Sequence, residues 1–333
     1  MKNTPCGVPP VKLEPKAQEF LNDLAAKGGP PINTLTPQAA RKVLDDLQAG
    51  PVPAPAAEIS ERTVPGGPTG PVSIRIVRPA GVTGPLPGIV FIHGGGWVLG
   101  NAKTHDRLVR EIANGARATV VFVNYTPSPE AKYPVPIEQA YTAANWVAKN
   151  GREINVDSSR LAIAGDSVGG DMTAAVTMLA KQRGGPRFVQ QTLLYPVTDA
   201  EFGTASYKRF AESCWLTRPG MEWFWDSYAP DKRTRTQPTA SPLRASTEQL
   251  RGLPPALVIT DSDVLLDAAK AYVAKLRAAG VPVTSTHYPE VPHDFMMLNG
   301  LRETRSYKNA IAETVGALHD ALHPLPQGVE RGK

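Results

Sequence analysis

Residues 160–181 constrain the fold of this 333-residue chain more than any other stretch. An apolar run, 161–164, leads directly into Gly165-Asp-Ser-Val-Gly169, and a helix-forming stretch, 172–180, comes straight after. A strand, an abrupt Gly-x-Ser-x-Gly turn and a helix in this order are typical of a nucleophile elbow. In such a turn the serine backbone is strained, and glycines on either side avoid collisions with the adjoining strand and helix. The stretch therefore predicts that Ser167 is presented at the end of a buried strand, although a bare Gly-x-Ser-x-Gly also occurs in surface turns.

The rest of the chain predicts an α/β fold built on an eight-stranded, mostly parallel sheet. Two segments alternate apolar and polar residues, as half-exposed antiparallel strands do, whereas most of the others are continuous apolar runs that suit strands buried on both faces. Helical patterns lie between them, so we expect helices on both sides of the sheet and a site at the carboxyl ends of its strands. The predicted strands are 59–64, 72–77, 88–92, 118–123, 161–164, 189–194, 256–259 and 283–288, and the helices are 104–116, 135–149, 168–182, 264–279 and 305–322.

Two segments stand apart from this alternation. Residues 1–50 contain two amphipathic helical patterns, and a proline-rich connection, 50–55, separates them from the strands. Residues 200–245 are rich in aromatic side chains and follow a buried strand, which places them above the carboxyl edge of the sheet. We expect these two segments to form a helical cap over a catalytic domain made of 51–199 and 246–333; core packing is the alternative explanation for the aromatic residues.

A serine nucleophile needs a histidine base, and in this order of elements the base should follow the last strand. Four of the six histidines follow Ser167. His287 lies inside the last strand pattern, and His319 and His323 lie on or just after the terminal helix. Only His293 lies in the loop after the last strand, so His293 is the expected base.

The acid that orients the base should come from the loop after strand 256–259. Three carboxylates are available there: Asp261, Asp263 and Asp267. Asp267 is expected to lie in the following helix. Position alone does not separate Asp261 from Asp263.

Oxyanion donors in such a site are usually backbone N–H groups. One should come from Val168, the residue after the serine, and the others from Gly94, Gly95 and Gly96, which follow strand 88–92. A phosphate-binding loop is the alternative for a glycine run after a strand. Leu99 stands where a dinucleotide motif would have its third glycine, and no Gly-Lys-Ser/Thr follows, so the sequence favours an oxyanion loop.

Composition excludes several other classes of protein. The chain has 36 Lys and Arg residues and 31 Asp and Glu residues. The small excess of basic residues is scattered along the sequence, so nucleic acid is not an expected partner. The two cysteines, Cys6 and Cys214, lie far apart in the sequence and form neither a disulfide framework nor a zinc-binding spacing, and we expect no metal and no cofactor. The N-terminus lacks the apolar run of a secretory signal, and no stretch is long and apolar enough to span a membrane. These features favour a cytoplasmic location.

Together these motifs resemble the hormone-sensitive-lipase-like carboxylesterases of the α/β-hydrolase superfamily. His93-Gly-Gly-Gly96 is similar to the family's oxyanion motif, and Gly165-Asp-Ser-Val-Gly-Gly170 to its Gly-Asp-Ser-Ala-Gly-Gly. The stretch 124–130 is similar to its Asp-Tyr-Arg-Leu-Ala-Pro-Glu but lacks the arginine. Asp263-Val-Leu-Leu-Asp267 resembles Asp-Pro-Leu-x-Asp, whose first aspartate is catalytic, so the resemblance selects Asp263. Asp294 stands where glycine is common and adds a second carboxylate beside the base.

The resemblance implies a serine carboxylesterase that acts on small-molecule esters through an acyl-enzyme, with Ser167, Asp263 and His293 as the triad. Trp97 and Trp215 are expected to bind substrate, and Val168, larger than the usual alanine, favours short or medium acyl chains. Dimers are common in the family, so a homodimer is a further expectation that composition leaves open. His93-Gly-Gly-Gly-Trp97 is also similar to a motif of arylformamidases, which makes an amide hydrolase one alternative; a ligand receptor without turnover on the same fold is another.

Overall fold

The computed structural model describes residues 11–212 and 215–324. Both cysteines lie outside these ranges. The strands are β1 Ala57–Gly67, β2 Gly70–Pro79, β3 Leu86–Ile92, β4 Thr119–Asn124, β5 Val156–Asp166, β6 Gln190–Leu194, β7 Ala256–Asp261 and β8 Val283–Tyr288. The α-helices are α1 Pro15–Lys27, α2 Pro37–Leu47, α3 Asp106–Gly115, α4 Val135–Asn150, α5 Val168–Arg183, α6 Ala205–Arg209, α7 Arg218–Tyr228, α8 Thr247–Leu250, α9 Leu266–Ala278 and α10 Arg305–Leu322.

All eight strands form one sheet in the order β1-β2-β4-β3-β5-β6-β7-β8. The pairs β1–β2 and β2–β4 are antiparallel and the remaining neighbours are parallel. Every residue of β3, β6 and β7 is buried, as expected for strands that helices cover on both faces. The prediction of an eight-stranded, mostly parallel sheet is therefore confirmed, and it brings the ends of β3, β5, β7 and β8 to one edge.

The N-terminal segment folds as the two predicted helices. The second is capped by Thr36, whose hydroxyl accepts a hydrogen bond from the Ala39 N–H, and proline follows at the first helical position. Leu21 of α1 and Leu44 of α2 are buried. The single 3₁₀ turn between these helices, Ile32–Thr34, packs against α7. The two segments outside the βα alternation are therefore in contact with each other.

Two polar side chains tie this N-terminal segment to the end of the chain. The carboxylate of Glu14 accepts hydrogen bonds from the backbone N–H groups of Arg305 and Ser306, both at 2.7 Å. The amide of Gln48 donates to the carbonyl oxygen of Met297 at 2.9 Å and accepts from the Asn299 N–H at 2.9 Å. Because Met297 lies shortly after His293, Gln48 anchors the predicted base loop to α2.

None of the helices within 11–212 and 215–324 combines the length and the apolar character that crossing a lipid bilayer requires.

Candidate active site

Ser167 lies at the junction of β5 and α5, where the sequence predicts the elbow. Its backbone has φ 54° and ψ −119°, a left-handed conformation that strains a residue with a side chain. A Cβ on Gly165 would overlap the carbonyl of Gly169, and a Cβ on Gly169 would overlap the carbonyl oxygen of Ile92. These are backbone atoms of the neighbouring helix and strand that cannot move aside, so glycine is required at both positions.

The structure brings Ser167, His293 and Asp263 into one chain of contacts. Nε2 of His293 lies 2.9 Å from Oγ of Ser167. Nδ1 of His293 lies 2.6 Å from Oδ2 of Asp263 but 4.0 Å from Oδ2 of Asp261. The other oxygen of Asp263 accepts a hydrogen bond from the Leu265 N–H at 2.8 Å, which fixes the carboxylate. The geometry thus favours Asp263 over Asp261 as the partner of the imidazole.

The surroundings of His293 favour its charged form. Burial opposes the charge, but the carboxylates of Asp294, Asp263 and Asp166 outweigh burial and raise the pKa of His293 above its ordinary value. Oδ1 of Asp294 lies 3.4 Å from Nε2, the nitrogen that faces Ser167. Its other oxygen accepts a hydrogen bond from the indole of Trp215 at 2.9 Å. The second carboxylate noted in the sequence therefore faces the reacting side of the base.

The three glycines of the loop after β3 do not play equal parts. The N–H of Gly94 donates to Oδ1 of Asp166 at 3.0 Å, so it points away from the site. In the described part of the chain the N–H groups of Gly95 and Gly96 have no acceptor, and both residues line the cavity above Ser167. Val168 is the first residue of α5, where an N–H has no partner within the helix. Three free donors therefore remain for an oxyanion.

Asp166 is a functional candidate that the sequence analysis did not single out. It is fully buried, accepts the hydrogen bond from Gly94 and lies 3.2 Å from Nε2 of His105. Burial alone would raise its pKa, but His105, His93 and the Gly94 N–H outweigh burial and lower it. An ionised Asp166 therefore holds the oxyanion loop against the elbow. The family motif Gly-Asp-Ser-Ala-Gly-Gly also has aspartate at this position, but the sequence alone does not indicate which residues contact Asp166.

Arg41 of α2 is a second candidate that the sequence did not reveal. Its guanidinium donates to the carbonyl oxygens of Val98 at 2.8 Å and of Ser128 at 2.9 Å. It also forms a two-pronged ion pair with Glu130, at 2.9 and 2.6 Å. Val98 lies two residues after Gly96, so one arginine connects the N-terminal helices to the oxyanion loop and to the 124–130 stretch.

A cavity of about 640 Å³ opens above Ser167. It lies between the α1–α2 segment and α7, and apolar side chains dominate its walls. The lining residues include Leu24, Ile32, Leu35, Leu44, Leu99, Leu216, Met221 and Phe224, together with Gly95, Gly96, Ser167, Trp215, His293 and Asp294. A volume of this order fits a small organic molecule.

Two expectations about this cavity need correction. Trp215 lines the cavity, and its role in substrate binding stays a prediction. Trp97 does not line it: with φ 60° its indole turns away, is fully buried and stacks on Tyr228 with ring centroids 4.1 Å apart. Val168 is also fully buried and does not reach the cavity, so its side chain cannot restrict the acyl chain.

Asp261, Asp263 and His293 lie close enough together, with one oxygen or nitrogen of each within 4.8 Å of the others, to be considered as metal ligands. Nδ1 of His293 is already 2.6 Å from Asp263, a hydrogen-bond separation. The cluster is therefore better explained as an acid–base relay.

Comparison with known proteins agrees with this geometry. A family model described as alpha/beta hydrolase fold matches residues 89–297. Carboxylesterase NlhH of Mycobacterium tuberculosis is 36% identical over 86% of this chain and 90% of its own length. A thermostable esterase from Pseudomonas putida ECU1011 is 49% identical, with a TM-score of 0.92 over 94% of this chain and 98% of its own. A Rhizomucor miehei esterase structure is 40% identical, with a TM-score of 0.87 over 94% of this chain and 98% of its own. The chain belongs to the α/β-hydrolase family, and within it to the hormone-sensitive-lipase-like carboxylesterases.

Proposed function

We propose that the chain hydrolyses carboxylic esters through an acyl-enzyme on Ser167, with His293 as the base and Asp263 as its orienting acid. The observation that carries the proposal is the unbroken relay of contacts, 2.9 Å from Ser167 to His293 and 2.6 Å from His293 to Asp263. The 2.9 Å between Ser167 and His293 allows proton transfer without rearrangement, and the 2.6 Å between His293 and Asp263 allows the carboxylate to orient the imidazole. A ligand receptor without turnover would have no need for such a relay.

In the first step Oγ of Ser167 attacks the ester carbonyl while Nε2 of His293 takes its proton. The oxyanion forms beside the N–H groups of Gly95, Gly96 and Val168, at the positive end of the α5 dipole. The imidazolium then gives its proton to the departing alkoxide, and the alcohol leaves. Water, deprotonated by the same nitrogen, attacks the acyl-enzyme, and the proton returns to Ser167 as the acid departs.

The cavity supports a substrate with small or medium apolar groups. Its roughly 640 Å³ lies directly above Ser167, and the α1–α2 segment and α7 enclose it. We propose that these elements are the two parts of a cap, 1–50 and 200–245, over the catalytic domain formed by 51–199 and 246–333. A series of p-nitrophenyl esters of increasing acyl length tests this: kcat/KM should peak at short or medium chains, and a maximum at sixteen carbons would contradict it.

Ser167→Ala is the direct test of the nucleophile. Hydrolysis of p-nitrophenyl butyrate should fall by about 10⁴-fold or more, leaving the residual rate from binding and the oxyanion hole. A fluorophosphonate probe should label the wild-type protein and not the variant. Ser206→Ala, a buried serine whose hydroxyl donates to the carbonyl of Val264, serves as the control. Full hydrolysis or undiminished labelling in Ser167→Ala would reject the nucleophile.

A cytoplasmic location and a homodimer complete the proposal. The location follows from the sequence composition, and the dimer from the family resemblance alone. Fractionation of cells that express the protein at native level tests the first, and light scattering after size-exclusion chromatography tests the second. Recovery outside the cytoplasm, or a monomer at all concentrations, would contradict the respective prediction.

A further inference from the structure

Asp261 is a buried carboxyl group behind the proposed relay. It takes no part in the proposed steps of ester hydrolysis. It is the last residue of β7, is fully buried, and lies 4.0 Å from Nδ1 of His293. In the described ranges neither of its oxygens receives a hydrogen bond from a donor group. A buried carboxylate without donors is costly, so its presence calls for an explanation.

Asp261 and Asp263 are close in space but differ in their surroundings. Asp263 has the Leu265 N–H on one oxygen and Nδ1 of His293 on the other. Asp261 has neither, and one oxygen of its carboxyl group lies within 4.8 Å of an oxygen of Asp263. Two neighbouring carboxylates in a buried site do not both ionise, and the one that lacks donors keeps the proton.

The other titratable groups that face Asp261 also favour its neutral form. Asp294 from the loop after β8 adds further negative charge, and the phenol of Tyr195 at the end of β6 is neutral because burial raises its pKa well above the usual range. Among the described residues His293 is the one base near it, and that imidazole is closer to Asp263. Burial, reinforced by the charge of Asp263, raises the pKa of Asp261 well above its ordinary value.

We propose that Asp261 is a positioning residue: it is held as a neutral carboxylic acid and donates a hydrogen bond to the Asp263 carboxylate, which fixes that carboxylate against His293. The relay then has four members, and the proton on Asp261 stays there throughout turnover. The donor supplied by Asp261 also withdraws charge from Asp263, which limits how strongly Asp263 stabilises the imidazolium. This inference rests on the proposed roles of Ser167, His293 and Asp263.

Infrared difference spectroscopy at pH 7 tests the protonation state without any turnover. The spectrum of wild-type protein minus Asp261→Asn should contain the carbonyl band of one neutral carboxylic acid. Asp171, another fully buried carboxyl group without donors, is present in both proteins and cancels. Absence of the band would overturn the proposal, whether or not the protein is an esterase.

The pH dependence of kcat/KM tests the positioning role. Asn keeps a donor and is neutral, so in Asp261→Asn the acidic limb should stay where it is in the wild type. If Asp261 were ionised, the substitution would remove a negative charge 4.0 Å from Nδ1, and the limb would move to lower pH by about one unit. That shift would overturn the proposal.

Asp261→Leu has a similar size but no donor. We expect its kcat/KM to fall about tenfold or more below that of Asp261→Asn, and its limb to move to higher pH, because Asp263 then carries its full charge towards His293. Thr260→Val, one position earlier on β7 and directed to His287, is the matched control and should keep the wild-type profile. Equal profiles for the Leu and Asn variants would overturn the positioning role. Should Asp261→Leu fail to fold, the infrared and Asn measurements still decide.

Discussion

Replacement of Arg41 tests whether the N-terminal helices hold the oxyanion loop in place. Arg41→Ala removes the hydrogen bonds to the carbonyls of Val98 and Ser128 and the ion pair with Glu130. The ion pair contributes little, about 0–1 kcal/mol, because 24% of the Arg41 side chain and 44% of that of Glu130 are exposed. The two carbonyl oxygens belong to buried residues and lose a charged donor, at about 1–1.5 kcal/mol each. The free energy of unfolding should therefore fall by about 2–4 kcal/mol.

The effect on catalysis should be felt mainly in kcat. Val98 adjoins the loop whose N–H groups we assign to the oxyanion, and these donors act in the transition state rather than on the bound ester. Displacement of the loop by a fraction of an ångström should lower kcat roughly 10-fold to 100-fold with a smaller change in KM. Hydrolysis of p-nitrophenyl butyrate and urea denaturation followed by tryptophan fluorescence measure the two effects.

Lys42→Ala is the matched control for this experiment. Lys42 is the next residue of α2, and its one ion-pair partner within 11–212 and 215–324 is Asp46, one turn along, with both side chains mostly exposed. It carries the same charge as Arg41, so its removal changes the net charge equally and should leave kcat and the unfolding midpoint nearly unchanged. If Arg41→Ala behaves like Lys42→Ala in both assays, the coupling between α2 and the oxyanion loop is refuted.

The acidic limb of kcat/KM should lie at higher pH than for an ordinary histidine, because the pKa of His293 is raised and only the neutral imidazole accepts the serine proton. Asp294→Asn removes the carboxylate that contributes most to raising this pKa, so the limb should move to lower pH. A pH–rate profile that does not shift would contradict this role of Asp294. Gly169→Ala puts a Cβ onto a backbone carbonyl and should abolish folding or activity, whereas native expression and turnover would show that the elbow tolerates it. Asp166→Ala leaves the buried Gly94 N–H without an acceptor and should cost about 3 kcal/mol of stability along with most of kcat, as denaturation and kinetics would measure.

The parts of the fold that the sequence predicts are those with a strong local signature. The buried strands are continuous apolar runs. The elbow needs glycine at two positions because a Cβ there would overlap backbone atoms of β3 and α5. The sequence selects His293 because it lies just after the last predicted strand. These features depend on a few consecutive residues, so one sequence is sufficient to find them.

The rest depends on contacts between distant parts of the chain or on side-chain direction. Asp261 ends β7 and Asp263 lies two residues later in the loop that follows, so position in the sequence does not separate them; their distances to His293, 4.0 and 2.6 Å, do. The contact of Arg41 with Glu130 joins residues 89 positions apart that no local pattern connects. Trp97 follows the oxyanion glycines in sequence, but its positive φ turns the indole towards Tyr228 and away from the cavity.

The ties of Glu14 and Gln48 to the far end of the chain have a consequence for how the protein is made. Gln48 leaves the ribosome 249 residues ahead of Met297, the residue whose carbonyl it binds. At about 5–20 residues per second this is a delay of roughly 12–50 s, during which the apolar faces of α1 and α2 lack their final neighbours. The two helices that are translated first are therefore expected to complete their packing only after Met297 has been made. The loop that carries His293 and the α1–α2 segment above the cavity therefore reach their final positions together, late in synthesis.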